Sequence, residues 1–205
     1  MTISYQVKDA VYVNLTNRCP CACVFCLRNN ASGIYGSGNL WLEREPTREE
    51  AIESLEKWDW EKFRDLVFCG YGEPTERLDD LIAISRYMKR RHPGIRIRVN
   101  TNGLADLIHA RSTAADFEGA VDTLSISLNT DDEKEYFEMC RPKFGIKSYS
   151  AMLEFAREAK KHVGDVVMTI VDEPVVSKAK QANCRAICEK LGVRLRIRPF
   201  EGLRV

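Results

Sequence analysis

Short runs of β-branched and apolar residues alternate with longer amphipathic stretches along the chain. This alternation is typical of βα units, in which each strand is followed by a helix that packs on a parallel sheet. The predicted strands are Ala10–Leu15, Asp65–Cys69, Ile95–Asn100, Thr123–Leu128, Val166–Val171 and Leu195–Arg198. The predicted helices are Thr47–Trp58, Leu78–Arg91, Leu104–Ala110, Asp132–Met139, Tyr149–Lys160 and Lys178–Leu191. The pattern predicts an α/β fold, either an open doubly wound sheet or a partial parallel barrel.

The length and net charge of the chain limit the class of protein to which it can belong. Its 205 residues are enough to bury one sizeable core, so we expect a single domain over 1–205. With 31 basic and 30 acidic residues, the net charge of +1 does not indicate nucleic acid or a membrane surface as partner. No apolar run approaches the ~20 residues that span a bilayer, and the polar segment Met1–Asp9 lacks a signal-peptide core. We therefore expect a cytoplasmic protein whose cysteines serve metal or redox chemistry.

Three cysteines follow the first predicted strand on one short loop. Cys19, Cys23 and Cys26 have the spacing Cys-x₃-Cys-x₂-Cys, and Phe25 directly precedes the last thiol. Three thiolates can bind three irons of a cubane [4Fe–4S] cluster and leave one iron open to a small molecule. Cys21 makes other triples conceivable, but the two-residue spacing is too tight for three alternating thiols to reach one cubane easily. A structural zinc site is the alternative, and it needs a fourth Cys or His close to the loop.

Further motifs follow the other predicted strands. The run Gly70–Pro74 comes directly after the second strand, and its glycines allow a ligand to approach the backbone closely. Within this run, Glu73 is an acceptor for a cationic group such as an α-ammonium. Polar residues around Ser127 and Asn129 alternate with apolar ones at the end of the fourth strand. Active residues gather at the carboxyl ends of the strands in a barrel, so we expect these motifs to lie beside the cysteine loop.

Together these motifs resemble those of the radical S-adenosylmethionine (SAM) superfamily, over almost the whole chain. Its marks are a Cys-x₃-Cys-x-aromatic-Cys loop and a Gly-Gly-Glu-Pro-like turn, in which Tyr71 here replaces one glycine. The resemblance implies a (β/α)₆ partial TIM barrel and a [4Fe–4S] cluster bound by Cys19, Cys23 and Cys26. It also implies that the amino and carboxylate groups of SAM chelate the open iron. Reductive cleavage of SAM would then give a 5′-deoxyadenosyl radical that abstracts a hydrogen atom from the substrate.

The superfamily pattern also assigns residues to the parts of SAM. It implies that the ammonium group lies near Gly72 and Glu73, and that the ribose lies near Ser127 and Asn129. Adenine would lie by the backbone around Phe25 and by the fifth strand, which lacks a clean Gly-x-Ile-x-Gly pattern. The full set of expected SAM-binding residues is Phe25, Gly70, Tyr71, Gly72, Glu73, Arg98, Asn102, Ser127, Asn129 and Arg198.

Three further runs look like those of small radical SAM proteins associated with TatD-type metal-dependent hydrolases. These runs are Asn14–Cys21, Trp41–Thr47 and Met139–Pro142. The association is one of gene neighbourhood. It therefore implies a working link with a phosphoester-cleaving partner of the TatD type and defines no substrate.

Strand alternation separates the two faces of the predicted sheet. In a barrel, we expect the apolar sets to face the helices: Val11/Val13/Leu15, Ile95/Ile97/Val99 and Leu124/Ile126/Leu128. The polar sets would face the lumen: Tyr12/Asn14/Thr16, Arg96/Arg98/Asn100, Ser125/Ser127/Asn129 and Arg196/Arg198. Arg98 and Arg198 could then hold the SAM carboxylate and an anionic group of the substrate. The alternative is that the arginines, above all Arg96 and Arg196, lie at strand starts or on an exposed edge.

The remaining cysteines are assigned by their surroundings. Cys184 and Cys188 belong to an apolar helical stripe, which favours the core over a metal site. Cys69 is predicted to be strand core, and Cys21 to flank the cluster without binding it. Cys140 lies in the connection after the fourth strand, where its thiol could donate a hydrogen atom to a product radical or pack as an ordinary loop residue.

Three functions remain open. The first is a radical SAM enzyme that acts on a small polar or anionic substrate, and the second is an activase that forms a glycyl radical on a partner protein. The third is an iron–sulfur electron carrier without catalysis, which would need no SAM pocket at Gly72 and Glu73. The resemblance implies an electron donor such as a flavodoxin or ferredoxin. The substrate, a partner protein or a second subunit of a homodimer could close the open side of the barrel. The long loop Leu27–Pro46 is either a lid or a tolerated surface insertion.

Overall fold

The computed structural model describes residues 1–29, 33 and 36–200, and a seven-stranded β-sheet lies at its centre. The strands are β1 (Ser4–Val7), β2 (Ala10–Val13), β3 (Asp65–Phe68), β4 (Arg96–Thr101), β5 (Thr123–Ser127), β6 (Asp165–Val171) and β7 (Arg194–Arg198). They lie in sequence order, with β1 antiparallel to β2 and all later neighbours parallel. A doubly wound sheet reverses its strand order at a switch point. The sequential order therefore excludes that alternative and agrees with the predicted partial barrel.

Helices follow the parallel strands as the alternating pattern predicts. They are α1 (Arg48–Leu55), α2 (Leu78–Arg91), α3 (Ala105–His109), α4 (Glu133–Cys140), α5 (Ser148–Ala159) and α6 (Lys178–Leu191). Short 3₁₀ helices lie at Leu27–Asn29, Pro74–Arg77 and Ala114–Phe117. The bounds of α2 and α6 are as predicted, and the other elements differ only near their ends. Among the described residues, no helix is both long enough and apolar enough to cross a membrane.

Local signals account for where two of these helices begin or end. Thr47 and Glu50 form a capping box at α1, in which each side chain accepts a hydrogen bond from the backbone N–H of the other residue. Gly192 ends α6 in the left-handed region, at a φ of 68°, where a Cβ atom would be strained. Because these signals are local, the sequence predicts both features directly.

The strand β1 is not among the predicted strands, because the segment Met1–Asp9 is polar overall. It pairs with β2, and Tyr5 stands opposite Tyr12 with ring centroids 5.4 Å apart. Tyr5, Val7, Leu40 and Tyr71 form a small apolar cluster, against which Tyr12 packs. The apolar residues Tyr5 and Val7 alternate with polar neighbours, and this was the available signal of a strand.

The two faces of the sheet differ as the alternation predicts. The apolar sets of β2, β4 and β5 are buried in the main core beneath the helices, and burial of each such side chain contributes roughly 1.5–3 kcal/mol. Cys184 and Cys188 are buried in the same core, which confirms their packing role. The opposite, inner face carries Tyr12 and the polar residues of β4 to β7. The site is therefore expected on this inner face, near the carboxyl ends of the strands.

Candidate active site

The cysteine loop, the turn after β3 and the end of α4 meet at the carboxyl edge of the sheet. The backbone N–H of Glu73 donates to the carbonyl of Arg18 at 2.8 Å. On the other side of the loop, Ala22 N donates to Cys140 O at 3.0 Å, and Val24 N donates to Met139 O at 2.9 Å. Main-chain hydrogen bonds therefore hold the cysteine loop from two sides.

The thiols differ in exposure. Cys19, Cys23 and Cys26 are half-buried, whereas Cys21 and Cys140 are buried. The pKa of the Cys19 thiol is lowered, first by a hydrogen bond with Cys21, and the pKa of the Cys23 thiol is lowered, first by a hydrogen bond with Cys140. The pKa of Cys26 is raised by burial. Lower thiol pKa values favour the thiolate, which is the form that binds metal.

The donor set fits a cubane better than a single ion. Within residues 1–29, 33 and 36–200, no three Cys, His, Asp or Glu side chains are grouped so that they could hold one metal ion. A cubane makes a different demand, because each thiolate binds a separate iron and the thiols need not converge on one point. Three half-exposed thiols on one loop, at the edge that faces the inner surface of the sheet, meet this demand. Cys19, Cys23 and Cys26 are thus the residues that would hold the cluster.

The side chain of Glu73 joins two segments of the site by hydrogen bonds. Its carboxylate is buried and accepts from Thr75 N (3.1 Å), Thr75 Oγ1 (2.8 Å), Thr101 Oγ1 (2.7 Å) and Asn102 N (2.7 Å). Burial raises the pKa of this carboxyl group, while the hydrogen bonds act in the opposite direction. Glu73 therefore fixes the turn after β3 to the end of β4. The sequence interpretation predicted an acceptor for a ligand here and missed its internal partners.

The glycines of the same turn allow close contact with the protein's own backbone. A Cβ atom on Gly72 would lie 2.2 Å from the carbonyl oxygen of Thr16 and 2.6 Å from that of Arg18. A Cβ atom on Gly70 would lie 2.0 Å from Asn14 Oδ1. The sequence predicts that these glycines let a ligand approach the turn, and in the structure they let the Asn14 side chain and the backbone of Thr16 and Arg18 lie close to it.

Several predicted SAM-binding residues lie around these thiols. Asn102 Nδ2 is 4.0 Å from Cys19 Sγ and 3.8 Å from Cys21 Sγ. Asn129 is buried in the left-handed region, with φ of 67°, and its Nδ2 donates to Cys140 Sγ at 3.2 Å. Ser127 ends β5 opposite Thr169 of β6. Asn102 and Asn129 thus lie among the thiols, and Ser127 lies at the carboxyl end of β5.

Arg28 and Tyr71 join the cysteine loop to the turn. Arg28, which the sequence interpretation did not select, donates to the carbonyls of Cys21 (3.1 Å) and Tyr71 (3.3 Å). The Tyr71 ring meets Trp41 edge to face, with centroids 5.2 Å apart. Phe25 is half-buried and packs against the main core.

Three of the predicted lumen residues have other roles. Arg96 is exposed at the start of β4 and forms an ion pair with Asp65 at 2.7 Å, so its assignment to the lumen is wrong. The hydroxyl of Thr16 donates to Glu45. Asn14 is buried, and its Nδ2 donates to the carbonyl of Leu40 at 2.7 Å. Arg96 begins β4, and Asn14 and Thr16 follow the end of β2, where alternation alone does not fix the surroundings of a side chain.

The second half of the predicted lid is anchored. Leu40 and Leu42 are buried, and Asn17 exchanges hydrogen bonds with Leu42, donating through Nδ2 at 2.7 Å and accepting through Oδ1 at 3.1 Å. Glu45 binds Arg18 at 2.7 Å. Residues 30–32 and 34–35 of the loop lie outside the described residues. The anchored half therefore belongs to the wall of the site.

Arg77 holds this wall to the sheet and was missed by the sequence interpretation. Its guanidinium donates to Asp80 (2.7 Å), Glu45 (3.3 Å) and the carbonyls of Leu15 (3.3 Å) and Pro46 (3.1 Å), and the side chain is only 15% exposed. Such a network depends on residues far apart in sequence. Only the structure brings them together.

We expect Arg77→Met to lower the free energy of unfolding by about 3 kcal/mol, because it leaves partly buried carboxylates and carbonyls unpaired. Urea denaturation measures this change. Arg157→Met is the control, since Arg157 forms only a surface pair with Glu154. Equal losses of unfolding free energy in Arg77→Met and Arg157→Met would contradict the role of Arg77 in holding the wall to the sheet.

Comparisons with known proteins agree with this geometry. A family model described as Radical SAM superfamily matches residues 13–178. A curated relative, "Probable dual-specificity RNA methyltransferase RlmN" of Endomicrobium trichonymphae, is 29% identical over 132 residues, which are 62% of this chain and 35% of that protein. The chain thus spans about a third of the length of this relative.

Solved structures share the fold at low sequence identity. A radical SAM methyltransferase from Sphaerobacter thermophilus has a TM-score of 0.64 at 16% identity, over 97% of this chain and 69% of that one. The FeFe-hydrogenase maturase HydG from Carboxydothermus hydrogenoformans has a TM-score of 0.61 at 16% identity, over 93% and 44% of the two chains. The family match covers most of the chain. The chain therefore belongs to the radical SAM superfamily, a family of enzymes whose cofactors are a [4Fe–4S] cluster and SAM.

Proposed function

We propose that this chain is a radical SAM enzyme that acts on a polar or anionic small molecule held against the inner face of its sheet. Bound together, the cluster and SAM would supply a 5′-deoxyadenosyl radical that removes a hydrogen atom from the substrate. Cys19, Cys23 and Cys26 would hold the cluster. The turn at Gly72 and Glu73, with Asn102, would orient the amino group of SAM, and Ser127 and Asn129 would meet its ribose.

One observation carries the substrate part of the proposal. Five buried side-chain atoms on the inner strands, or at their carboxyl ends, have no described hydrogen-bond partner: Asn14 Oδ1, Arg98 Nε, Asn100 Oδ1, Asn129 Oδ1 and Arg196 Nε. Buried polar atoms in folded proteins are almost always paired. A polar ligand would supply the missing partners, whereas an electron carrier has no use for them.

A small molecule suits this chain better than RNA as the substrate. The curated relative is named an RNA methyltransferase, but this chain balances 31 basic against 30 acidic residues. RNA binding is dominated by phosphate neutralisation and usually leaves a basic excess. A flavodoxin or ferredoxin is the proposed electron donor, and Val24 and Leu27 give the cysteine loop an exposed apolar surface at which such a donor could dock.

A link with a TatD-type hydrolase is proposed from the resemblance of the runs Asn14–Cys21, Trp41–Thr47 and Met139–Pro142. The third of these runs lies close to the end of the first, because the carbonyls of Met139 and Cys140 accept from Val24 and Ala22, just after Cys21. The link would be tested by feeding the product of this enzyme to the hydrolase. A hydrolase rate that does not change on addition of the product would remove it.

Anaerobic reconstitution with iron and sulfide, followed by SAM and dithionite, tests the function. We expect 5′-deoxyadenosine from the wild type and none from Cys23→Ala. Firm cluster incorporation without SAM binding would support the electron carrier instead. Zinc in place of iron after anaerobic purification would overturn the proposal.

Cys140 is proposed as the hydrogen-atom donor to a product radical, and the thiyl radical left on its Sγ would return to the thiol by taking one electron from the proposed electron donor and one proton from solvent. Its thiol is buried beside Cys23 and held by Asn129 at 3.2 Å. We expect Cys140→Ala to keep cluster content and substrate-free SAM cleavage, while substrate turnover and uptake of solvent deuterium into the product fall. Full turnover by the variant would remove this role and leave Cys140 as a packing residue.

A further inference from the structure

The arginines of β4 and β7 fall into two groups. At the start of their strands, Arg96 pairs with Asp65 and Arg194 pairs with Asp165, each at 2.7 Å. Two residues further along the same strands stand Arg98 and Arg196, and Arg198 follows on β7. Within the described part of the chain, none of the latter three forms an ion pair with an acidic residue. We name Arg98, Arg196 and Arg198 the arginine triad.

The charges of the triad act on common neighbours. The pKa of Arg196 is lowered by burial and then by the like charges of Arg98 and Arg198. The pKa of the Cys69 thiol is raised by burial, and Arg198 and Arg98 act in the opposite direction. Arg98 and Arg196 are half-buried, Arg198 is exposed at the end of β7, and all three charges act on Cys69 or on one another.

The hydrogen bonds of the triad leave several donor groups available to bind an anion. Arg98 Nη2 donates to the Tyr12 hydroxyl at 3.1 Å, and Arg196 Nη2 donates to Ser125 Oγ at 3.0 Å. Because these hydroxyls accept from arginine, their own O–H groups are free to donate. The Nε atoms of Arg98 and Arg196 are buried without a described partner. Guanidinium groups that lie together and are only partly paired lower the stability of the folded protein unless a ligand neutralises their charge.

We propose that the arginine triad, with Tyr12 and Ser125, binds the phosphate group of a phosphorylated small-molecule substrate. Three guanidinium groups match a dianion with several acceptor oxygens better than a single carboxylate. This inference rests on the proposed function for the identity of the ligand as substrate, but the phosphate site itself can be measured without turnover.

The position of the triad sets the orientation of the substrate. Arg98 and Asn102 are separated by four residue steps, which correspond to about 13 Å along an extended strand. Asn102 lies beside Cys19 and Cys21. A substrate with its phosphate at the triad would therefore extend toward the cysteine loop, with its reactive carbon at the far end from the phosphate.

Thermal unfolding of the anaerobically reconstituted protein, titrated with inorganic phosphate at constant ionic strength, tests the site. We expect a saturable rise in Tm with phosphate and a much smaller one with acetate. Arg98→Met and Arg196→Met should each weaken phosphate binding by about tenfold or more. Arg96→Met and Arg194→Met are matched controls two residues away on the same strands, and they should keep the wild-type response.

The same variants separate binding from a structural role. Without phosphate, we expect Arg196→Met to raise Tm, because it relieves like-charge repulsion. A fall in Tm for both triad variants without phosphate, or equal phosphate responses in triad and control variants, would overturn the proposal. Competition between phosphate and SAM, with both weakened equally by Arg98→Met, would assign the triad to the SAM carboxylate and also overturn it. If no 5′-deoxyadenosine formed, the proposed function would be wrong. The phosphate titration would still measure whether the triad binds phosphate.

Discussion

Alanine in place of Cys19, Cys23 or Cys26 should abolish [4Fe–4S] incorporation, whereas Cys21→Ala should retain the cluster. Each of the three thiolates binds a separate iron, so the loss of one leaves two irons without a protein ligand. Cys21 differs because it is buried between its neighbours and its pKa is raised, first by its hydrogen bonds with Cys19 and Cys23. Iron and sulfide content after anaerobic reconstitution measures the outcome.

The cysteine series also discriminates among the ligand triples that the spacing allows. Cys69→Ala serves as a control, since Cys69 is a nearby thiol on the adjoining strand edge and is not an expected ligand. Loss of the cluster in Cys21→Ala, together with its retention in Cys23→Ala, would show that a different triple binds the cluster.

The second large effect is expected from Gly72→Ala. The new Cβ would meet the carbonyl oxygens of Thr16 at 2.2 Å and Arg18 at 2.6 Å, and backbone atoms of a clamped loop cannot move aside cheaply. The turn must then separate from the cysteine loop, which breaks the 2.8 Å hydrogen bond between Glu73 N and Arg18 O. We expect a loss of about 2–4 kcal/mol in unfolding free energy and a loss of SAM binding.

Urea denaturation and equilibrium SAM binding measure the two parts of this effect. Gly164→Ala is the matched control, because the nearest atom to its Cβ is Asp122 O at 3.9 Å and its φ is not in the left-handed region. Wild-type SAM affinity in Gly72→Ala would contradict the close packing of the turn and the loop.

The fold was largely predictable because its signals are local. Periodicity and capping residues determine α2 and α6, and alternation identifies the parallel strands. The strand β1 was not predicted because it is short and is not followed by a helix. Its partners in the small apolar cluster, Leu40 and Tyr71, are distant in sequence.

The adjacency of the cysteine loop and the turn after β3 was predictable, because the carboxyl ends of parallel strands meet at one edge of the sheet. The internal role of Glu73 was not, because its partners Thr101 and Asn102 belong to the next strand. Arg96 and Arg98 also could not be distinguished by alternation. Their side chains share a face of β4, and only the ion pair with Asp65 shows that Arg96 lies at the rim.

The central claim is that three thiols hold a cluster with one iron open to SAM, and electron paramagnetic resonance of the reduced, reconstituted protein tests it most directly. We predict that SAM changes the cluster signal of the wild type and that the change persists in Cys21→Ala. A cluster signal that SAM leaves unchanged at saturating concentration would contradict the claim, because it would mean that no iron is open to SAM.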